Sequence, residues 1–296
     1  QSGGASTAEA EIGATGRPAR AGALMPFVYA PHHREIEKLP ADPNSYVILT
    51  RNEAKAAVVF VHGFTGKARE TWQGFEEGAT QSEAFRNVDL YFFGYDGFLS
   101  NTLAATSFLY SLLQGLGTDP APLLGMLADQ TDRDNRAKGY DRIVVVAHSL
   151  GAVVSRWALV RAAEEKAPWA NKIRYLLFAP AHRGSDLARL ATEGLGGLSW
   201  LKPLLEGLKA GSPLIRELDR ESPVLQELEE RTRELLPENP FLKATRVVIA
   251  EREVVVNNWI FAGDPFPQAL RGTTHESVCK PSAVQPEPLR ILTELL

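Results

Sequence analysis

The residues best able to do covalent chemistry sit in Ile143-Val144-Val145-Val146-Ala147-His148-Ser149-Leu150-Gly151-Ala152. An apolar run that reads as a strand passes directly into a helical pattern, and Ser149 stands at the joint. Small residues lie two places before it (Ala147) and two places after it (Gly151). A sharp strand-to-helix turn of this kind holds a serine in a strained backbone conformation and presents its hydroxyl as a nucleophile. Strand and helix then pass so closely that a larger side chain at either flank would clash. A serine here also serves as the N-cap of an ordinary crossover helix. The strand directly before Ser149 and the helix directly after it select the nucleophile instead. Ala147 stands where glycine is commoner.

A second stretch, Val58-Val59-Phe60-Val61-His62-Gly63-Phe64, ends an apolar strand in His-Gly. Acyl transfer develops negative charge on a carbonyl oxygen, and each fixed backbone N–H aimed at it is worth about 3 kcal/mol. Gly63 lets the loop approach a substrate closely. The expected donors are the N–H groups of Phe64 and Leu150. His62 is expected to prop this loop rather than to act as a base.

These residues need a frame. Tyr46–Leu49, Ala57–Val61, Leu90–Phe93, Ile143–Val146, Tyr175–Phe178 and Arg246–Ile249 are apolar runs, most of them continuous. Strands buried on both faces read this way. Between them lie helical patterns; in 152–166, Val153, Trp157 and Val160 form the apolar stripe, with Arg156, Glu164 and Glu165 as the polar residues. The alternation predicts an α/β sheet in one domain. No period of 20 to 50 residues repeats. Residues 187–243 are too long for a plain loop and are rich in Leu and Gly, so they read as a helical cap insertion. The Leu-rich stretch 103–127 reads as part of the same cover.

The chain has 296 residues, 44% hydrophobic and 23% charged, and a net charge of −4. This excludes extensive disorder, coiled coil and a strong field for nucleic acid. No window is apolar enough for a membrane span. The single Cys279 excludes an intramolecular disulfide and a Cys-rich zinc site. No zinc-type His-Glu-x-x-His and no phosphate-cradling glycine loop occurs, so no metal or cofactor is expected. Residues 1–25, rich in Ala, Gly, Ser and Thr, read as a flexible arm before a domain over 26–296. The first residue is Gln1, which reads as a processed or trimmed start. A soluble protein is expected, cytoplasmic rather than secreted, although a removed signal stays open.

The two motifs, in this order, resemble the α/β-hydrolase superfamily. The closer likeness is to serine esterases related to serine-active-site-containing hydrolases and GPI inositol-deacylase-like lipases. It rests on Val59–Gly66 with Thr71-Trp72, on Ala147–Gly151, on Ala179–Ser185 and on His275–Pro281. The resemblance implies the chain order serine, acid, histidine. His182 and His275 follow Ser149. His182 falls in a run resembling the family's Pro-x-x-x-Gly-Ser turn, which implies a structural or pocket-wall role. His275, in a polar loop, is implied as the base. The family's pattern after the strand near Ala250 selects Glu253 as the acid, with Glu251 its rival and Asp264, in Gly-Asp-Pro, a turn residue that could also serve. The function so implied is a carboxylesterase or lipase acting on a small ester or lipid through an acyl-enzyme on Ser149. An amidase, thioesterase or acyltransferase would use the same residues. An inactive lipid-binding module is the competing reading from another class.

Overall fold

The computed structural model describes residues 32–63, 66–96, 102–182, 222–253, 256 and 260–296. The strands are β1 (Glu37–Leu39), β2 (Asp42–Ile48), β3 (Ala56–Val61), β4 (Val88–Phe93), β5 (Arg142–His148), β6 (Ile173–Phe178), β7 (Arg246–Arg252) and β8 (Gln268–Thr274). The helices are α1 (Phe75–Thr80), α2 (Thr102–Thr118), α3 (Ala121–Leu124), α4 (Gln130–Asp134), α5 (Leu150–Glu164), α6 (Pro223–Leu235) and α7 (Glu287–Thr293). All six expected apolar runs are strands. The short β1 and the polar, largely exposed β8 carry no comparable signal.

The strands form one sheet in the order β1-β2-β4-β3-β5-β6-β7-β8. Pairing is antiparallel for β1/β2 and β2/β4 and parallel from β4 to β8. Every residue of β3 and β4 is buried, which explains why their sequences, Asp89 apart, run apolar without alternation. β3 stands between β4 and β5, so the chain leaves β3 toward one side and later returns to the other. The strand order thus reverses at β3 and β5. Loops diverge there at the carboxyl ends of the strands, which opens a crevice suited to a ligand. His62-Gly63 and Ser149 follow these two strands.

Helix α5 packs against β5, with α2 and α6 alongside it. It is buried almost all round. Arg156 was expected on its polar face, yet it is fully buried. Its guanidinium pairs with Asp264 at 2.5 Å, donates to the Leu242 carbonyl and lies over the rings of Tyr175 and Phe261. A buried charge survives only when paired in this way. The Leu-rich stretch expected as cover includes α2, whose Leu109, Leu112, Leu113 and Leu116 are buried. It packs along α5 and the Pro168–Lys172 turn. Of the expected insertion at 187–243, the end after residue 221 is α6 and the Pro240–Leu242 turn, both packed on α5. The rest of it, like the arm at 1–25, lies outside the described residues. No helix among the described residues is long and apolar enough to cross a membrane.

Candidate active site

Ser149 joins β5 to α5 with φ 54° and ψ −122°, a positive-φ conformation that a residue with a side chain rarely adopts. Such strain costs roughly 1–3 kcal/mol and persists only where the surroundings impose it. Here the backbone is held on both sides. Ser149 N–H donates to Phe178 O at 3.1 Å, and Ser149 O accepts from Ala152 N–H at 3.0 Å and Ala181 N–H at 3.2 Å. The requirement for small neighbours is visible in distances. A Cβ on Gly151 would stand 2.3 Å from Val61 O and 2.5 Å from His62 O. A Cβ on Gly63 would meet Ser149 Cβ at 2.9 Å.

His275 follows the last residue of β8. Its Nε2 lies 3.1 Å from Ser149 Oγ. Its Nδ1 lies 3.1 Å from each oxygen of Glu253. A carboxylate only accepts, so Nδ1–H donates to Glu253 and Nε2 is left to accept from the serine hydroxyl. The Glu253 side chain is 1% exposed and that of His275 7%, so the pair works in a poorly screened setting. Glu253 also accepts the N–H of Val256 at 3.2 Å. The register of β7 and β8 shifts between Ala250 and Arg252.

The rival acids are engaged elsewhere. Glu251 is exposed, and its Oε2 accepts the Gly272 N–H at 2.8 Å across the β7–β8 edge. Asp264 answers Arg156 and takes the Ala244 N–H at 2.8 Å.

The histidines around this arrangement hold backbone. His62 is buried, donates from Nδ1 to Gly63 O at 2.7 Å and accepts the Tyr95 N–H at Nε2 at 3.3 Å. It stacks on Tyr95 with centroids 4.3 Å apart, and the Tyr95 hydroxyl donates to His62 O at 2.7 Å. Burial pushes His62 down to about 4, so it stays neutral and props the loop as expected. His182 donates from Nε2 to Ala152 O at 2.9 Å and stacks on Phe261. His148 carries no role in the sequence reading. Its Nε2 contacts His275 O at 2.8 Å, and the two rings lie 4.8 Å apart.

Leu150 opens α5, so its N–H is among those that an α-helix leaves without an internal acceptor. Phe64, the other expected donor, lies outside the described residues. No group of three or more His, Cys, Asp or Glu side chains among the described residues is placed to hold a metal ion. A groove of about 1120 Å³ lined by Tyr46, His62, Arg69, Trp72 and Tyr95 reaches the loop after β3 but not Ser149, His275 or Glu253.

A largely parallel sheet with a serine on a strained strand-to-helix turn defines the α/β-hydrolase class. The chain belongs to the alpha/beta hydrolase family, whose model matches residues 58–290. Solved structures agree on the fold. The mature lipase BlEst2 of Bacillus licheniformis is 17% identical, with a TM-score of 0.51 over 82% of this chain and 92% of its own. The phospholipase PlaB of Legionella pneumophila is 17% identical, with a TM-score of 0.51 over 81% of this chain and 59% of its own. The peroxisomal alpha-beta-hydrolase Lpx1 of Saccharomyces cerevisiae is 11% identical, with a TM-score of 0.50 over 84% and 81%. No curated protein matches the sequence. The fold expected from the sequence is therefore the fold observed.

Proposed function

We propose that this protein is a serine hydrolase of carboxylic esters, with a small ester or a lipid as substrate. One observation carries the reading: a strained serine whose hydroxyl, an imidazole and a buried carboxylate lie in sequence at 3.1 Å steps. His275 Nε2 takes the proton of Ser149 as Oγ attacks the acyl carbon. Glu253 holds the imidazole in the required tautomer and stabilises the imidazolium. The N–H of Leu150, with that of Phe64, receives the oxyanion. The tetrahedral intermediate collapses, the acyl–oxygen bond breaks, and His275 returns the proton to the leaving alcohol. Water then repeats the sequence on the acyl-enzyme. The cycle needs no metal or cofactor. Two of the structural relatives carry the words lipase or phospholipase in their names, which supports an ester rather than an amide.

The test is titration with a fluorophosphonate together with p-nitrophenyl esters of graded chain length. Stoichiometric labelling of Ser149 and turnover of at least one ester are expected. An unlabelled serine and no turnover across the series would instead favour a binding module.

A further inference from the structure

In the sheet, β6 and β7 separate β5 from β8, so His275 must reach back across two strands to meet Ser149. The segment after β8 is fastened along its path. The Cys279 thiol lies 3.7 Å from Thr71 O, and a Cβ on Gly74 would stand 2.0 Å from Pro281 O. The His275 backbone is tethered on the nucleophile's side. That tether is His148, whose Nε2 lies 2.8 Å from the His275 carbonyl oxygen. A carbonyl only accepts, so the proton sits on Nε2 and His148 donates.

We infer that His148 is a positioning residue for the reaction proposed above: its Nε2–H grips the His275 carbonyl and sets the reach of the imidazole to Ser149. The inference rests on that reading of Ser149 and His275. His148 directly precedes Ser149 in the chain, so the tether references the base to the nucleophile's own strand. A displacement of about 1 Å between reacting groups can cost a hundredfold in rate, which is what such a tether prevents.

The surroundings keep the donor in place. The His148 and His275 rings lie 4.8 Å apart at 46°, and Trp72 meets His148 edge-on with centroids 6.5 Å apart. A Cβ on Gly63 would stand 3.3 Å from His148 Nδ1, so the loop after β3 closes the other side. His275 becomes cationic during attack, and a second cation beside it would oppose that step. Burial, above all, pushes His148 down to about 3; the charges of His275, Lys280 and His62 act in the same direction, and the hydrogen bond to the His275 carbonyl opposes them. The neighbour is therefore neutral while the base cycles.

The experiment compares H148Q with H148M. Gln and Met have similar length, and Gln alone carries an amide donor near the position of Nε2. H148Q should keep kcat within about threefold of wild type. H148M should lose about tenfold or more in kcat with KM within twofold. The low-field Nδ1–H proton of His275, bonded to Glu253, should persist in H148Q and broaden in H148M. Wild-type kcat and an intact Nδ1–H signal in H148M would overturn the inference. So would nitrogen spectra of the wild-type protein that place the His148 proton on Nδ1. Should H148M fail to fold, H148F supplies a ring without the donor, and the wild-type tautomer decides without any variant. Failure of the esterase reading looks different: wild type takes no fluorophosphonate and cleaves no ester, while the spectra still report on the tether.

Discussion

At the scale of single residues, two glutamates two positions apart divide the work after β7. Glu253 is buried against His275, and Glu251 holds the exposed Gly272 amide. On the proposed mechanism, Glu253→Gln keeps the shape but removes the charge that would stabilise an imidazolium and invites the wrong tautomer. Ester turnover should fall by orders of magnitude with little change in Tm. Glu251→Gln should stay near wild type, since an exposed side chain usually contributes less than about 0.5 kcal/mol. Steady-state kinetics and thermal melts of the pair decide. A silent Glu253→Gln beside a crippled Glu251→Gln would move the acid by two residues. Ser149→Ala should fold normally and retain under a tenth of wild-type turnover, because the proposed relay would lose its nucleophile. The sequence pointed to Ser149 through its local context, whereas Glu253 came through likeness to a family pattern. Arg156 was misread because its partner, Asp264, lies far along the chain. Nothing within one helix period distinguishes a guanidinium bound for solvent from one bound for a buried carboxylate. The tie between His148 and the His275 carbonyl was hidden for the same reason, since backbone acceptors leave no mark in a sequence.

At the scale of elements, the turn between β5 and α5 depends on close backbone passage. Gly151 faces two carbonyl oxygens that are themselves backbone and cannot swing aside. Gly151→Val should therefore destabilise the protein as well as abolish turnover, with a cost in the range of about 1–3 kcal/mol or more for overpacking. Chemical denaturation and the esterase assay measure the two effects. A folded, fully active variant would mean that strand and helix are further apart than they stand here. The buried parallel strands were readable because both faces are covered and the apolar code is continuous. β8 was not, because one residue after another on it meets solvent; its placement comes from pairing with β7. The Leu-rich α2 shows the limit of composition alone. Its leucines suit a cover or a flank equally, and only packing against α5 settles which it is.

At the scale of the whole molecule, the polar groups buried under the sheet's ends govern how stability responds to substitution and to acid. Arg156–Asp264 ties α5 to the segment before β8, while Arg136–Asp89, joined by the Tyr140 hydroxyl at 2.5 Å, lies at the opening end of β4. Removing one member of such a pair strands the other charge. Asp264→Asn should cost about 3–5 kcal/mol, a fall in Tm of roughly 5–8 °C for a chain of this length. Acid acts through the buried histidines. Burial lowers His62 to about 4 and His148 to about 3, and it lowers His33 as well. In the unfolded chain each returns to near 6.5. Between these values the unfolded state binds protons that the folded state refuses, so stability is complete above about pH 6.5 and falls as the pH drops toward 3–4. Carboxylates also respond to acid, so the histidine contribution must be isolated by difference. His148→Gln keeps a donor and removes one titrating ring. From pH 7 to 4.5 the wild-type protein should lose about 2.5 kcal/mol more unfolding free energy than His148→Gln, from 1.36 kcal/mol per pH unit over the part of that range below 6.5. Urea titrations of both proteins at the two pH values give this double difference. Equal losses would mean that His148 is protonated in the folded protein as easily as in the unfolded chain. A neutral imidazole beside His275 would then be untenable.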